Sequence, residues 1–124
     1  MNLDGSDKVM LLEDPDRSVS GVSWDGDSDG IFFQYDDRGD TRIGYTSLSG
    51  KRRDISGNVG GVSIGRPYSG GSFSVSSNDR IAFTYGTAYR PAELAVSNRK
   101  GNPRVITAFS DSLLKHRNLG QLEE

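Results

Sequence analysis

Two segments of this chain carry the same features in the same order about 50 residues apart, and that repeat limits the possible folds more than anything else in the sequence. "GVSWDGDSDGIFFQYDDRGDTRIGYTSLSGKRRDIS" (21–56) aligns with "SFSVSSNDRIAFTYGTAYRPAELAVSNRKGNPRVIT" (72–107). Ile31 matches Ile81 and Tyr35 matches Tyr85 at an offset of 50. Ile43 then matches Leu94, Gly50 matches Gly101 and Ile55 matches Ile106 at an offset of 51, so one inserted residue accounts for the change. A fixed period of about 20–50 residues marks solenoids, propellers and arrays.

Within each copy the local period is that of strands. "IFFQY" and "IAFTY" are β-branched and aromatic runs bounded by Asp, Gly and Asn. "TRIGYTSL" and "AELAVSN" alternate apolar and polar residues, and "LSGK" and "RKGN" are tight-turn signals. The first copy predicts strands near 19–24, 30–36, 41–48 and 51–56, the second near 72–76, 80–86, 92–98 and 103–107. Pro91 and Pro103 fall at strand starts, where a missing N–H is tolerated. Four antiparallel strands per repeat of about 40–50 residues form the blade of a β-propeller. "KVMLLED" reads as the last strand of a preceding blade, at 7–12. After Thr107 a helix start at Ser110 or Asp111 precedes Leu113-Leu114, and Gly120 suits a C′ position, which predicts a short helix over 111–118. The expected class is all-β: two four-stranded antiparallel blades (19–56 and 72–107), a strand of a preceding blade and a short C-terminal helix.

Composition agrees. Gly is 16 of 124 residues, above the usual share of about 7%, which fits many turns between short strands. The chain has no cysteine, so neither disulfides nor thiolate metal sites are available. Fifteen basic residues against 17 acidic give a formal charge of −2, with no basic stripe for nucleic acid. "MNLDGSDKVM" has no apolar signal region, and no run suits a bilayer span. With the absence of cysteine, these features make a cytoplasmic location the expectation.

Two blades cannot close a ring, since propellers use roughly four to eight, and repeat units need neighbours on both sides. The chain is therefore expected to belong to a larger protein, or to complete a ring with further copies through exposed blade edges. At this point a family resemblance enters. "SWDGDSDGIFFQYDDRGDTRIGYTSLSGKRRDIS" resembles a propeller blade of the prolyl oligopeptidase family of serine peptidases, nearest its acylaminoacyl-peptidase and dipeptidyl-peptidase-like branch. "RPYSGGSFSVSSNDRIAFTYGTAYRPAELAVSNRKGNPRVIT" resembles the last blade, with Pro91, Ala92, Glu93 and Leu94 matching its P-x-E-L run. "AFSDSLLKHRNLGQLEE" (108–124) resembles the exit segment toward the α/β-hydrolase domain. The resemblance implies a propeller that caps the active site, admits short peptides and leaves the Ser-Asp-His triad to the hydrolase domain. It implies that no residue of this chain is catalytic. No cofactor or metal is expected. The implied partners are that hydrolase domain and a peptide substrate. A stand-alone binding module completed by oligomerisation is the alternative.

Several motifs invite sharper readings. Gly61–Gly65 spells G-x-S-x-G around Ser63, the spacing of a nucleophile elbow. An elbow needs a strand before it and a helix after it, and Pro67 with the following glycines precludes the helix. His116 is the only histidine available for a triad, with Asp79 or Asp111 as its partner. The expected role of Ser63 is an inter-blade connector. Asp25, Asp27 and Asp29, with Asp36 at the twelfth position, match an EF-hand loop start. Their flanks read as strands, so the expectation is an acidic hairpin turn, with Ca²⁺ binding as the competing reading. Arg38-Gly39-Asp40 spells an adhesion tripeptide but reads as part of the turn over 36–40. Trp24 is expected to end an inner strand and pack between blades. His116 would complement a helix dipole. Arg66, Tyr68, Tyr89 and Arg90 lie in loops that could face a peptide tunnel.

Overall fold

The structure, a computed structural model, describes residues 4–12, 17–61 and 70–121. Strands β1 (Val19–Trp24), β2 (Gly30–Asp37), β3 (Asp40–Ser47) and β4 (Arg52–Ser56) form one four-stranded sheet. Strands β5 (Phe73–Val75), β6 (Arg80–Thr87), β7 (Arg90–Asn98) and β8 (Arg104–Val105) form a second. Both are antiparallel meanders in sequence order, and neither closes on itself. The all-β class and the two four-stranded sheets therefore hold as expected.

Turn chemistry sets the hairpins. β2 and β3 are joined by two residues, Arg38 and Gly39, with φ of 52° and 89°. Positive φ at both positions is what a type I′ turn requires, and its twist matches the strands it joins. Arg38-Gly39-Asp40 is thus a hairpin tip followed by the first residue of β3. The β3–β4 and β7–β8 turns repeat one device: Gly50 and Gly101, at φ 83° and 80°, donate their N–H groups to Ser47 and Asn98. The β1–β2 and β5–β6 turns repeat another. Asp25 accepts the Asp29 amide at 3.0 Å, and Ser76 Oγ accepts the Arg80 amide at 3.1 Å.

Alternation then sorts the side chains. One face of the first sheet carries Phe32, Ile43 and Tyr45, and one face of the second carries Ile81, Phe83 and Ala95. These pack with Ile55 and Val59 into a single core between the sheets, with Phe73, Val75 and Tyr85 against it. Burying each large side chain contributes about 1.5–3 kcal/mol. The connector after β4 is held to both sheets. Val59 N–H bonds the Thr41 carbonyl, Gly60 N–H bonds Thr84, and Gly86 N–H bonds Asn58. Gln34 Nε2 donates to the Gly71 carbonyl at 3.0 Å. Ser63, Arg66 and Tyr68, and with them the G-x-S-x-G question, lie outside the described residues.

Three expectations are corrected. Residues 7–12 form no strand, and Val9 and Met10 are exposed, because no third sheet exists among the described residues to pair them. The helix α1 spans Asp111–Leu114 rather than 111–118, so Gly120 is not its C′ residue. It buries no residue, and a single turn without packing has little to extend it. Trp24 pairs with Ile31 on the face turned away from the second sheet and is 57% exposed, so it does not pack between the two sheets.

Candidate functional site

The meander topology gathers four turns at one end of the two sheets: β1–β2, β3–β4, β5–β6 and β7–β8. A polar cleft of about 560 Å³ opens there, with Asp29, Tyr45, Lys51, Asp79, Arg99 and Lys100 in its walls. Arg99 is at its centre. Its Nη1 lies 3.1 Å from Asp25 Oδ2, 3.4 Å from Asp29 Oδ1 and 3.5 Å from Asp79 Oδ2. The guanidinium also lies over the Tyr45 ring, 5.4 Å from its centroid, and donates to the Tyr45 hydroxyl at 3.3 Å. Asp25 and Asp29 come from the first sheet, Asp79 and Arg99 from the second. Asp79 Oδ1 accepts the Gly26 amide at 2.9 Å, which adds another link between the sheets.

Asp25 has a fully buried side chain, and a buried charge needs partners. Burial raises its pKa, but hydrogen bonds from Asp29, Tyr45 and the Asp29 and Gly30 amides outweigh burial and hold it below the ordinary carboxylate value. Asp29 moves the other way. It shares a hydrogen bond with Asp25, is partly desolvated and feels the Asp25 charge, so its pKa rises. Burial and the bond from its hydroxyl to Asp25 push Tyr45 up to about 12. Chemically, the cluster is an ionic clasp that fixes one sheet against the other. Of the hydroxyls in its walls, Tyr45 donates to Asp25 at 2.9 Å, and Ser47 and Ser49 bond each other at 2.8 Å.

A second polar centre sits on β7. Glu93 is in phase with Ala95 on the core-facing side and is 3% exposed. Its carboxylate accepts four hydrogen bonds: from Thr107 Oγ1 (2.5 Å), Phe109 N (3.0 Å), Ser110 N (3.0 Å) and Ser110 Oγ (2.7 Å). Those donors, Thr107 first, take its pKa down to about 2. Thr107 Oγ1 also accepts the Leu94 amide at 2.8 Å. Glu93 thereby fixes the path by which the chain leaves β8. The Ser110 hydroxyl is spent on this contact, so the side chain at the helix N-terminus makes no capping bond.

The residues singled out by sequence do not converge. Asp79 belongs to the Arg99 clasp, and Asp111 is ion-paired with Arg90. His116 is exposed in the turn after α1, and neither aspartate orients it. Asp27 is exposed, and Asp36 accepts the Thr41 hydroxyl at 2.8 Å rather than joining Asp25 and Asp29. Among the described residues no group of three or more His, Cys, Asp or Glu is placed to hold a metal ion. Tyr89 and Arg90 lie at the opposite end from the clasp, at the β6–β7 turn. Arg99 and Glu93 are the residues that sequence reasoning did not single out as a site. Glu93 carried no signal: in "AELAVSN" it falls in the polar phase with Ser97, opposite Ala92, Leu94 and Val96, so alternation alone would turn it to solvent.

No family model matches the chain, and neither curated proteins nor solved structures gave a significant match.

Proposed function

We propose that this chain is a two-blade part of a β-propeller that gates and orients short peptides for a serine peptidase of the prolyl oligopeptidase type, with no catalytic role of its own. One observation carries the reading: two successive four-stranded meanders share one core and each turns its other face outward with apolar residues on it. Val22 and Trp24 are 60% and 57% exposed on the first sheet, Leu94 and Ile106 39% and 45% on the second. A wedge of this form suits a place in a ring of blades. The Glu93 clasp supports the exit-segment reading, since it gives the chain a fixed direction after the last strand.

Two measurements test it. The chain alone is expected to leave acylaminoacyl and dipeptidyl chromogenic substrates intact, and turnover abolished by Ser63→Ala would overturn the non-catalytic role. The coding sequence beyond Glu124 is expected to encode an α/β-hydrolase domain with its own G-x-S-x-G. A stop codon there would remove the peptidase reading.

A further inference from the structure

The repeat offset relates the two faces of each sheet in a specific way. The core-facing residues of the first sheet, Phe32, Ile43 and Tyr45, correspond to Ala82, Leu94 and Val96 of the second. Those three lie on the second sheet's outer face, since their cross-strand phase is opposite to Ile81, Phe83 and Ala95. A groove of about 840 Å³ runs over that face, with Ala82, Val96 and Ile106 in its walls. In the other direction, Phe73 and Val75 pack against the shared core. Trp24, opposite Ile31, holds the ladder position that Val75 holds opposite Ile81, and Trp24 and Val22, two residues before it, are exposed on the outer face of the first sheet. Arg52 covers Phe33 and Tyr35 on that face, 5.8 Å and 4.9 Å from their ring centroids, which leaves the β1 side open. The outer face of the second sheet thus holds the repeat positions on which the second sheet itself is seated, apolar again but with Ala82 and Val96 in place of Phe32 and Tyr45. The open side of the first sheet repeats the surface that does the seating.

We infer that a second copy of this chain docks head to tail on the first, its β1 side carrying Val22 and Trp24 seated on the Leu94–Val96 face. The contact continues the internal sheet-to-sheet interface, so its occupant is specified by the repeat. It uses faces, not the strand edges expected from sequence. Such a contact is heterologous: each copy offers two different patches, and repetition closes a ring when the rotation permits. Two, three or four copies would give four, six or eight blades, the range propellers use. The inference rests on the blade reading of the sheets but not on the peptidase reading. A chain without hydrolase partners would still associate, and a monomer would leave the peptidase tests above unaffected.

Sedimentation velocity of the whole chain across a concentration series tests this, with Trp24→Asp and Leu94→Asp as variants. Both positions are exposed, so both variants are expected to keep the wild-type circular dichroism spectrum. The wild type is expected to grow with concentration to a discrete mass of two to four copies. Each variant alone is expected to stay monomeric, because every copy lacks the same one of the two patches. Mixed together, they are expected to form 1:1 dimers and nothing larger, each supplying the patch the other lacks. A wild type that stays monomeric, a single variant that still self-associates, or a mixture that stays monomeric would each overturn the inference. If an aspartate variant unfolds, Trp24→Ser and Leu94→Ser are expected to give the same pattern with weaker effect, and full wild-type association by both would overturn it equally.

Discussion

The seating of one sheet on the other can be probed at Gly26. A Cβ built there would lie 2.0 Å from the Ser77 carbonyl oxygen and 2.8 Å from its carbon. Both atoms are backbone, so no side chain can swing aside; the β1–β2 and β5–β6 turns must separate. The Gly26 φ is not in the left-handed region, so Gly26→Ala adds steric overlap without backbone strain. Overpacking of this kind costs about 1–3 kcal/mol. Separation also stretches the Gly26 N–H bond to Asp79, now 2.9 Å, worth about 1 kcal/mol. The sum is about 2–4 kcal/mol. At about 3–5 °C per kcal/mol for a chain of this size, Tm is expected to fall by roughly 6–20 °C. Differential scanning calorimetry measures the fall. Gly120→Ala, where nothing lies within 4 Å, is the control and is expected to melt with the wild type. Amide exchange locates the damage: the Gly60 and Gly86 amides, bonded across the connector, are expected to lose protection along with the turns. A Gly26→Ala protein that melts within about 2 °C of wild type with those amides still protected would refute the inter-turn contact.

Three more outcomes follow from the same structure. Glu93 has a folded pKa near 2 against an ordinary 4.5, so its contribution is fully present above pH 4.5 and is lost as pH falls toward 2; exchange at Phe109 and Ser110 is expected to accelerate over that window, and Glu93→Gln is expected to remove the dependence. Phe83→Ala, in the shared core at 1% exposure, is expected to cost about 3–5 kcal/mol in urea unfolding, whereas Leu94→Ala in the monomer is expected to cost under about 1 kcal/mol; equal costs would mean the two faces are misassigned. The Arg99 guanidinium occupies the space among Asp25, Asp29 and Asp79, so EDTA is expected to leave Tm unchanged, and a Tm that rises with added Ca²⁺ would mean the ion displaces it.

What could be read from the sequence was whatever short-range chemistry decides. The hairpins were legible because Arg38-Gly39, Gly50 and Gly101 set the turns locally, and alternation fixed which residues share a face. β8 has two residues against an expected 103–107: Ile106 still bonds the Leu94 carbonyl, but the Leu94 amide goes to the Thr107 hydroxyl, which Glu93 also holds, so the backbone ladder ends there. α1 stopped after one turn because none of its residues is buried. The clasp was not legible, since Arg99 and Asp25 are 74 residues apart and meet only where the two sheets stack. Arg99 in "NRKGN" looks like any turn cation until the stacking is known. Trp24 shows how a correct rule gave a wrong placement. A residue ending the first strand of a sheet packs between sheets when another sheet lies against that face. Its counterpart Val75 does so here, because the first sheet precedes the second. Trp24 has no such neighbour among the described residues, and so the same ladder position is core in one copy and exposed in the other. That asymmetry, one motif with two burial states, is the physical reason to expect a partner on the exposed copy. A surface evolved only for water has no need of Val22 and Trp24 in the phase where Phe73 and Val75 are buried.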